Sequence, residues 1–389
     1  MKKSLLILAA VAFVASSCTK TEVIEDTPKK GINFSAYTAK PTRAAQVDVT
    51  TDSLTQFKVT AFGNGAIYFD NVTFTKSRVW ESATKYFWPA FPLTFCAYNT
   101  PTQGGTTFNR IITTSEITPS ELKLFVVPNS DLAKQEDLVA AYAKDQKEGN
   151  ATSTESSLPI LFNHYLTQVI VKAKNSSTTY KVVVDSVKLA NLAGDGTYTF
   201  RDSTMTATVS KVNKAASSDY KAGFRAKELN GTPQEVMTDG GNGKWYLIPQ
   251  TVRAWKRKDK VADSDMTNSG EGTAHGTYLA LKVKITANGD TLKIYPATGD
   301  ESGWMAVPIP TAWTSSAETT PSIFAQGKKY TIILDFFGNN GAGYVDPETP
   351  SDLDGDNATD DNGKKIIGGA IKFKATVNDW ANVDITISL

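Results

Sequence analysis

The sequence predicts an all-β protein in which antiparallel sheets pack on one another. Runs rich in β-branched and aromatic residues recur along the chain, and Gly, Asn, Asp and Pro bound them, as is typical of strands separated by turns. Within several runs apolar and polar residues alternate, as Val171 and Ala173 do with Lys172, which indicates strands with one buried and one solvated face. The predicted strands span residues 32–37, 56–62, 93–98, 167–173, 180–189, 278–286, 329–336 and 370–377.

Length and composition favour two globular domains. The chain has 389 residues, and a domain typically has about 100–200. A boundary near residues 189–195 predicts one domain at 31–190 and another at 191–389. Hydrophobic residues make up 40% of the chain, and 41 basic residues balance 40 acidic ones. The net charge is only +1. Proteins that bind nucleic acid usually carry an excess of basic residues, so no nucleic-acid partner is expected.

The N-terminus has the features of an exported lipoprotein. Lys2 and Lys3 precede an apolar run at residues 4–14, and small residues lead to Cys18. We interpret residues 1–17 as a signal peptide, Cys18 as the lipidated residue that holds the protein to a membrane, and polar residues 18–30 as a flexible tether. An ordinary cleaved signal peptide and an uncleaved anchor are the alternatives.

One segment predicts a helix instead of a strand. At residues 130–147, Leu132, Leu138 and Tyr142 recur at roughly the spacing of about 3.6 residues that marks a helix.

The second cysteine, Cys96, lies in a strand-like apolar run, where a buried, inert thiol is expected. With Cys18 lipidated, Cys96 has no partner for an intrachain disulfide.

Candidate chemistry is sparse, so we predict no catalytic residues, no metal site and no cofactor. The two histidines, His164 and His275, lack ligand spacing, and His164 is interpreted as a structural strand residue. Residues 352–357 resemble half of a calcium loop, but a solvated acidic loop is the favoured interpretation. Four tryptophans could pack in the core or form a glycan-binding platform, and packing is favoured. They are Trp245, Trp255, Trp304 and Trp313.

Seven motifs in order resemble the fimbrillin family of surface lipoproteins, the subunits and relatives of type V pili. Together they extend from the first predicted strand almost to the C-terminus. Those motifs lie at residues 41–44 (PTRA), 88–89 (WP) with 95–98 (FCAY), 137–140 (DLVA), 162–169 (FNHYLTQV), 248–250 (IPQ), 327–330 (GKKY) and 377–380 (VNDW).

The resemblance implies two tandem transthyretin-like antiparallel β-sandwich domains, and an extended rather than helical conformation at residues 137–140. It also implies that a trypsin-like protease cuts between Arg43 and Ala44. Such a cut would remove Ile32, Phe34 and Ala36, whose alternation predicts the buried face of a strand. An apolar groove with unpaired backbone groups would remain, and such a groove accepts a strand from another chain.

The C-terminal tail, residues 383–389, is a candidate donor strand for that groove. Four apolar residues alternate with polar ones up to the last residue. The alternative is that the tail completes a sheet of its own domain. The apolar residues are Val383, Ile385, Ile387 and Leu389.

These features predict a non-enzymatic fimbrial subunit, structural or accessory, that is surface-exposed at the cell outer membrane and supports adhesion. Its expected partners are other fimbrial subunits, the maturation protease and the membrane. The alternative function is a non-polymerising surface lipoprotein that binds glycan or a host ligand.

Overall fold

The computed structural model describes residues 30–38, 53–100, 106–113, 121–151, 157–200, 207–209, 217–239, 243–251, 255, 277–287, 289–309, 312–314, 319–321, 323–347, 363–369 and 371–379. Strands dominate these residues, so the all-β prediction is confirmed. The first nine strands are β1 (Asn33–Thr38), β2 (Gln56–Gly63), β3 (Ala66–Lys76), β4 (Trp80–Ser82), β5 (Leu93–Asn99), β6 (Thr107–Thr113), β7 (Glu121–Val127), β8 (Val139–Gln146) and β9 (Ser157–His164).

Seventeen further strands follow in the described part of the chain after His164. They are β10 (Thr167–Asn175), β11 (Tyr180–Ala193), β12 (Gly196–Thr199), β13 (Ala207–Val209), β14 (Ser217–Glu228), β15 (Gln234–Glu235), β16 (Trp245–Leu247), β17 (Gln250–Thr251), β18 (Tyr278–Ala287), β19 (Leu292–Tyr295), β20 (Gly303–Pro308), β21 (Ala312–Thr314), β22 (Thr319–Pro321), β23 (Ile323–Phe324), β24 (Lys328–Phe336), β25 (Tyr344–Val345) and β26 (Lys372–Asp379).

The N-terminal strands close into a barrel in the order β1-β4-β3-β2-β5-β8-β9. Its closure depends on β1, which pairs with β9 on one side and β4 on the other. The hairpin between β2 and β3 turns at Asn64 and Gly65, both with positive φ, as a type I′ turn requires. The resemblance implies a transthyretin-like β-sandwich domain for this part of the chain, and its described strands form a closed barrel.

The C-terminal core lies between two sheets. One has the order β15-β10-β24-β26, with β16 also paired to β10, and the other has the order β14-β11-β18-β20-β25, with β19 paired to β18. Alternate residues of β10, including Val169 and Val171, point into this core, and Val184 and Leu189 of β11 do the same.

The predicted boundary between residues 190 and 191 lies within β11, so we propose a boundary nearer residue 165, between β9 and β10.

A smaller sheet, in the order β13-β12-β7-β6, connects the two halves of the chain. Leu122 and Leu124 of β7 and Tyr198 of β12 pack in one cluster with Cys96 of the barrel and Ile248 from the C-terminal half. Because this cluster draws on both halves, the burial of its apolar side chains holds them together.

The predicted helix at residues 130–147 is wrong. A short 3-10 helix at Leu132–Lys134 and the strand β8 occupy this segment instead. β8 pairs with β5 along its length and with β9 at Val139 and Ala140. Ladder hydrogen bonds on two sides therefore outweigh the helical preference of its Ala-rich sequence.

Candidate functional site

The first strand is the candidate site that the structure describes most fully. Ile32, Phe34 and Ala36 are all buried, with exposed fractions of 2%, 0% and 2%. Asn33 and Ser35, between them, are only partly buried. This is the period of two that the sequence predicts for these residues.

Phe34 lies in a cluster of aromatic rings inside the barrel. Its ring centroid is 4.8 Å from that of Phe74, 5.2 Å from that of Phe95 and 5.9 Å from that of Phe57. All three contacts are edge-to-face, the geometry that the ring quadrupoles favour. Full burial of an aromatic side chain contributes about 1.5–3 kcal/mol, so Phe34 is the main apolar anchor of β1.

The two edges of β1 are paired unequally. Six consecutive residues pair in parallel with β9, from Asn33 opposite Ser157 to Thr38 opposite Phe162. On the other side, the antiparallel pairing with β4 consists of Phe34 opposite Trp80. β1 therefore occupies a slot between β9 and β4, and most of its backbone pairing is with β9.

A second set of contacts holds the start of β1. The amide of Ile32 donates to the carbonyl of Tyr86 at 2.7 Å, and the amide of Trp88 donates to the carbonyl of Lys30 at 3.2 Å. Gly31 forms an isolated bridge with Phe87. Residues 86–88 therefore extend the wall of the slot that β4 begins.

The remaining predicted assembly residues lie outside the described part of the chain. They are Cys18, Arg43, Ala44, Val383, Ile385, Ile387 and Leu389. The cleavage position falls between Thr38, the last residue of β1, and Ser53, where the described chain resumes. At the other end, β26 ends at Asp379 and pairs along its length with β24. The assembly roles of these seven residues therefore stay predictions.

His164 has a partner that the sequence analysis did not identify. Its Nδ1 atom lies 2.7 Å from Oδ2 of Asp137, and both side chains are almost fully buried. Asp137 comes just before β8 and His164 ends β9, so the pair joins the ends of two adjacent barrel strands. The carbonyl of Asp137 also accepts a hydrogen bond from the Asn99 side chain at 2.8 Å. This arrangement agrees with a structural role for His164.

Other residues considered for chemistry are mostly packed in the interior. Trp245 and Trp255 are buried, Trp304 is partly buried, and the side chain of Trp313 lies outside the described part. Cys96 is a buried free thiol, and burial raises its pKa well above the usual range, so it stays protonated and unreactive. Core packing thus accounts for Trp245 and Trp255.

Metal binding finds no support in the residues that the structure describes. Among them, no three His, Cys, Asp or Glu side chains converge as a metal site requires. The acidic residues 352–357 lie outside this part of the chain.

The described ranges also contain no helix with the length and hydropathy needed to span a lipid bilayer.

Similarity to known proteins was found at the level of a family and of solved structures. The solved structures include a fimbrial protein from Bacteroides vulgatus, with 16% identity and a TM-score of 0.48 over 90% of this chain and 100% of that one. A fimbrilin from Porphyromonas gingivalis has 12% identity and a TM-score of 0.42, over 91% and 98%. A C-terminally truncated tip fimbrial protein from Porphyromonas gingivalis has 11% identity and a TM-score of 0.36, over 84% and 94%.

No curated protein sequence matches the chain. The profile of one family, described as fimbrillin-like, matches residues 42–380. That match covers most of the chain, including the barrel from β2 onward and the whole described C-terminal core. The chain therefore belongs to the fimbrillin-like family.

Proposed function

We propose that this protein is a structural or accessory subunit of a fimbrium, exported to the outer-membrane surface as a lipoprotein and assembled by strand exchange. The observation that carries the proposal is the position of β1. It supplies a buried apolar face to the barrel core, yet it lies at the start of the described part of the chain, just before the candidate cleavage site between Arg43 and Ala44. Cleavage there would separate β1 from the rest of the barrel.

Loss of β1 would expose a specific acceptor. The backbone of β9 along residues 157–162 would lose its parallel partner, and the aromatic pocket around Phe34 would open. Both changes are costly in water, since apolar surface and a long unpaired strand edge become exposed. A strand from a second subunit would restore both the ladder and the apolar contacts.

The C-terminal tail, residues 383–389, has the same alternation of apolar and polar residues as the strand β1 that it would replace. Its apolar residues repeat every second position, as do Ile32, Phe34 and Ala36. Seven extended residues span about 23 Å, which is the length of a full sheet edge. The barrel and the C-terminal sheets would then be variants of two tandem transthyretin-like domains.

Replacing Arg43 with alanine should abolish polymer formation while leaving the subunit folded. A trypsin-like protease requires a basic residue before the cleaved bond, so β1 would stay in its slot and block the acceptor. Polymers are scored by electron microscopy and by SDS-resistant ladders of surface fractions. Arg78→Ala, at an exposed bend before β4, is the matched control and should polymerise normally. Polymers of normal abundance from Arg43→Ala would refute cleavage at this bond.

Replacing Cys18 with alanine should release the precursor from the membrane fraction. The acyl chains on Cys18 would contribute about 0.8 kcal/mol per buried CH₂, and the variant would have no such anchor. Fractionation and metabolic labelling with a fatty-acid analogue measure this. Unchanged membrane association, or equal label in the variant, would contradict lipidation at Cys18.

The alternative, a monomeric glycan-binding or host-binding lipoprotein, is less well supported. A stacking platform needs exposed aromatic rings, and Trp245 and Trp255 are buried in the structure. We infer a non-enzymatic role, because the family is one of fimbrial structural proteins.

A further inference from the structure

The outer face of the sheet that contains β11, β18, β20 and β25 carries a second, smaller buried cluster. Its apolar members include Ala280 and Ala306 on the sheet and Trp255 above it. The Trp255 ring packs against Tyr278 and Tyr344, with centroid distances of 5.7 Å and 5.9 Å. This cluster encloses two ionisable groups that the proposed function does not use.

These groups are Lys188 of β11 and Asp346, which follows β25. Lys188 Nζ lies 3.1 Å from Oδ2 of Asp346, and the two side chains are 5% and 0% exposed. The rings of Trp304 and Tyr278 flank the ammonium group, with centroids 5.1 Å and 5.9 Å from Nζ. The hydroxyl of Tyr278 donates to the other carboxylate oxygen, Oδ1, at 3.1 Å. The acid and the amine are therefore held in contact inside an aromatic pocket.

The register of the sheet explains how Lys188 reaches across it. Lys188 is opposite Ala280 on β18, and Ala280 is opposite Ala306 on β20. Small residues at these two central positions leave room for the long lysine side chain to lie over the sheet. Asp346 is fixed from the other side, because its amide donates to the carbonyl of Trp304 at 3.1 Å.

We propose that Lys188 and Asp346 form an intramolecular isopeptide bond in the folded protein. A bond forms between Nζ of Lys188 and Cγ of Asp346, and the Cγ–Oδ2 bond breaks. The ammonium group gives up two protons in total, and Oδ2 leaves with both of them as water. The product is a neutral amide that keeps Oδ1 as its carbonyl oxygen, and no oxidant or further reactant is required.

Two features of the pocket favour this reaction. Contact between the two groups replaces a bimolecular encounter, for which effective concentrations on the order of 10⁵ M or more are known. The hydroxyl of Tyr278 is aimed at Oδ1, where negative charge develops when Nζ attacks Cγ.

The bond would join β11 to the segment after β25 across β18 and β20. In a subunit that is pulled from its two ends, the tension would pass from Lys188 to Asp346 through this bond. Residues 189–345 would then not carry the tension. This mechanical consequence rests on the proposed fimbrial function. The bond itself does not, so it can be tested on the full chain whether or not the chain polymerises.

The test is peptide mapping by mass spectrometry of the full chain after folding. We expect a branched peptide that contains both Lys188 and Asp346, lighter by one water than the sum of its two arms, and no tryptic cleavage after Lys188. Asp346→Ala should yield the linear Lys188 peptides. Linear peptides from the unaltered protein, with cleavage after Lys188, would overturn the proposal and leave a buried ion pair.

A second variant tests the role of the tyrosine hydroxyl. Tyr278→Phe keeps the ring but removes the donor to Oδ1, and the branched peptide should accumulate about 100-fold more slowly after refolding. Tyr344→Phe removes a hydroxyl from the same cluster and should leave the rate unchanged. Bond formation at the unaltered rate in Tyr278→Phe would overturn the assignment of Tyr278 as the donor.

Discussion

Replacing Phe34 with alanine should lower the free energy of unfolding of the N-terminal barrel by about 3–5 kcal/mol. Phe34 is fully buried and makes edge-to-face contacts with three other rings, so truncation removes these contacts and leaves a cavity among stiff side chains. Chemical denaturation of the uncleaved chain, followed by tryptophan fluorescence, measures the change. Trp80 and Trp88 report on the same core.

The matched control is Leu161→Ala on the neighbouring strand β9. Leu161 is also apolar, but 51% of its surface is exposed, so its truncation should change the free energy of unfolding by no more than about 0.5 kcal/mol. Equal effects of the two substitutions would show that β1 does not anchor the barrel. In that case its removal would not create a competent acceptor.

Deleting residues 383–389 should abolish polymers and leave a folded, exported subunit. Under strand exchange the tail supplies the strand that replaces β1 in the next subunit, so without it no subunit can be joined. The expected loss is complete, because no other segment of the chain is assigned as a donor. Electron microscopy of surface fractions and circular dichroism of the purified variant measure the two outcomes separately.

Single substitutions sharpen this test. Ile385→Asp places a charge on the apolar face of the tail and should block polymerisation, whereas Thr386→Asp changes the opposite face and should permit it. If the deletion and Ile385→Asp instead unfold the subunit, the tail belongs to its own domain's sheet. Strand donation by residues 383–389 would then be refuted.

Much of the strand pattern is predictable from local sequence. The predicted segments at 167–173 and 329–336 correspond closely to β10 and β24, where alternation is clear and β-branched residues are dense. The helix predicted at 130–147 is wrong for a non-local reason. Ala140, Ala141 and Ala143 favour a helix when the segment is considered alone, but pairing with β5 and β9 determines its conformation in the folded chain.

The candidate site is predictable in part. Alternation alone indicates that Ile32, Phe34 and Ala36 share a buried face, as the structure places them. Local sequence does not indicate that β1 pairs in parallel with β9, because that register depends on residues far away in the chain.

The same limit applies to two buried contacts between ionisable side chains. Asp137 lies beside His164, and Lys188 lies beside Asp346, yet in each pair the two residues come from elements well separated in sequence. Only the folded arrangement of the strands brings these groups into contact, so no local motif could have identified them.

Strand exchange is tested first by the N-terminal sequence and intact mass of the subunit sheared from the surface of its native cells. If β1 is replaced by a donor strand, the polymeric form should begin at Ala44, lack β1 and carry no lipid. Polymers built from subunits that retain an acylated Cys18 and an intact Arg43 would exclude this mechanism, because β1 would still occupy the slot that a donor strand must enter.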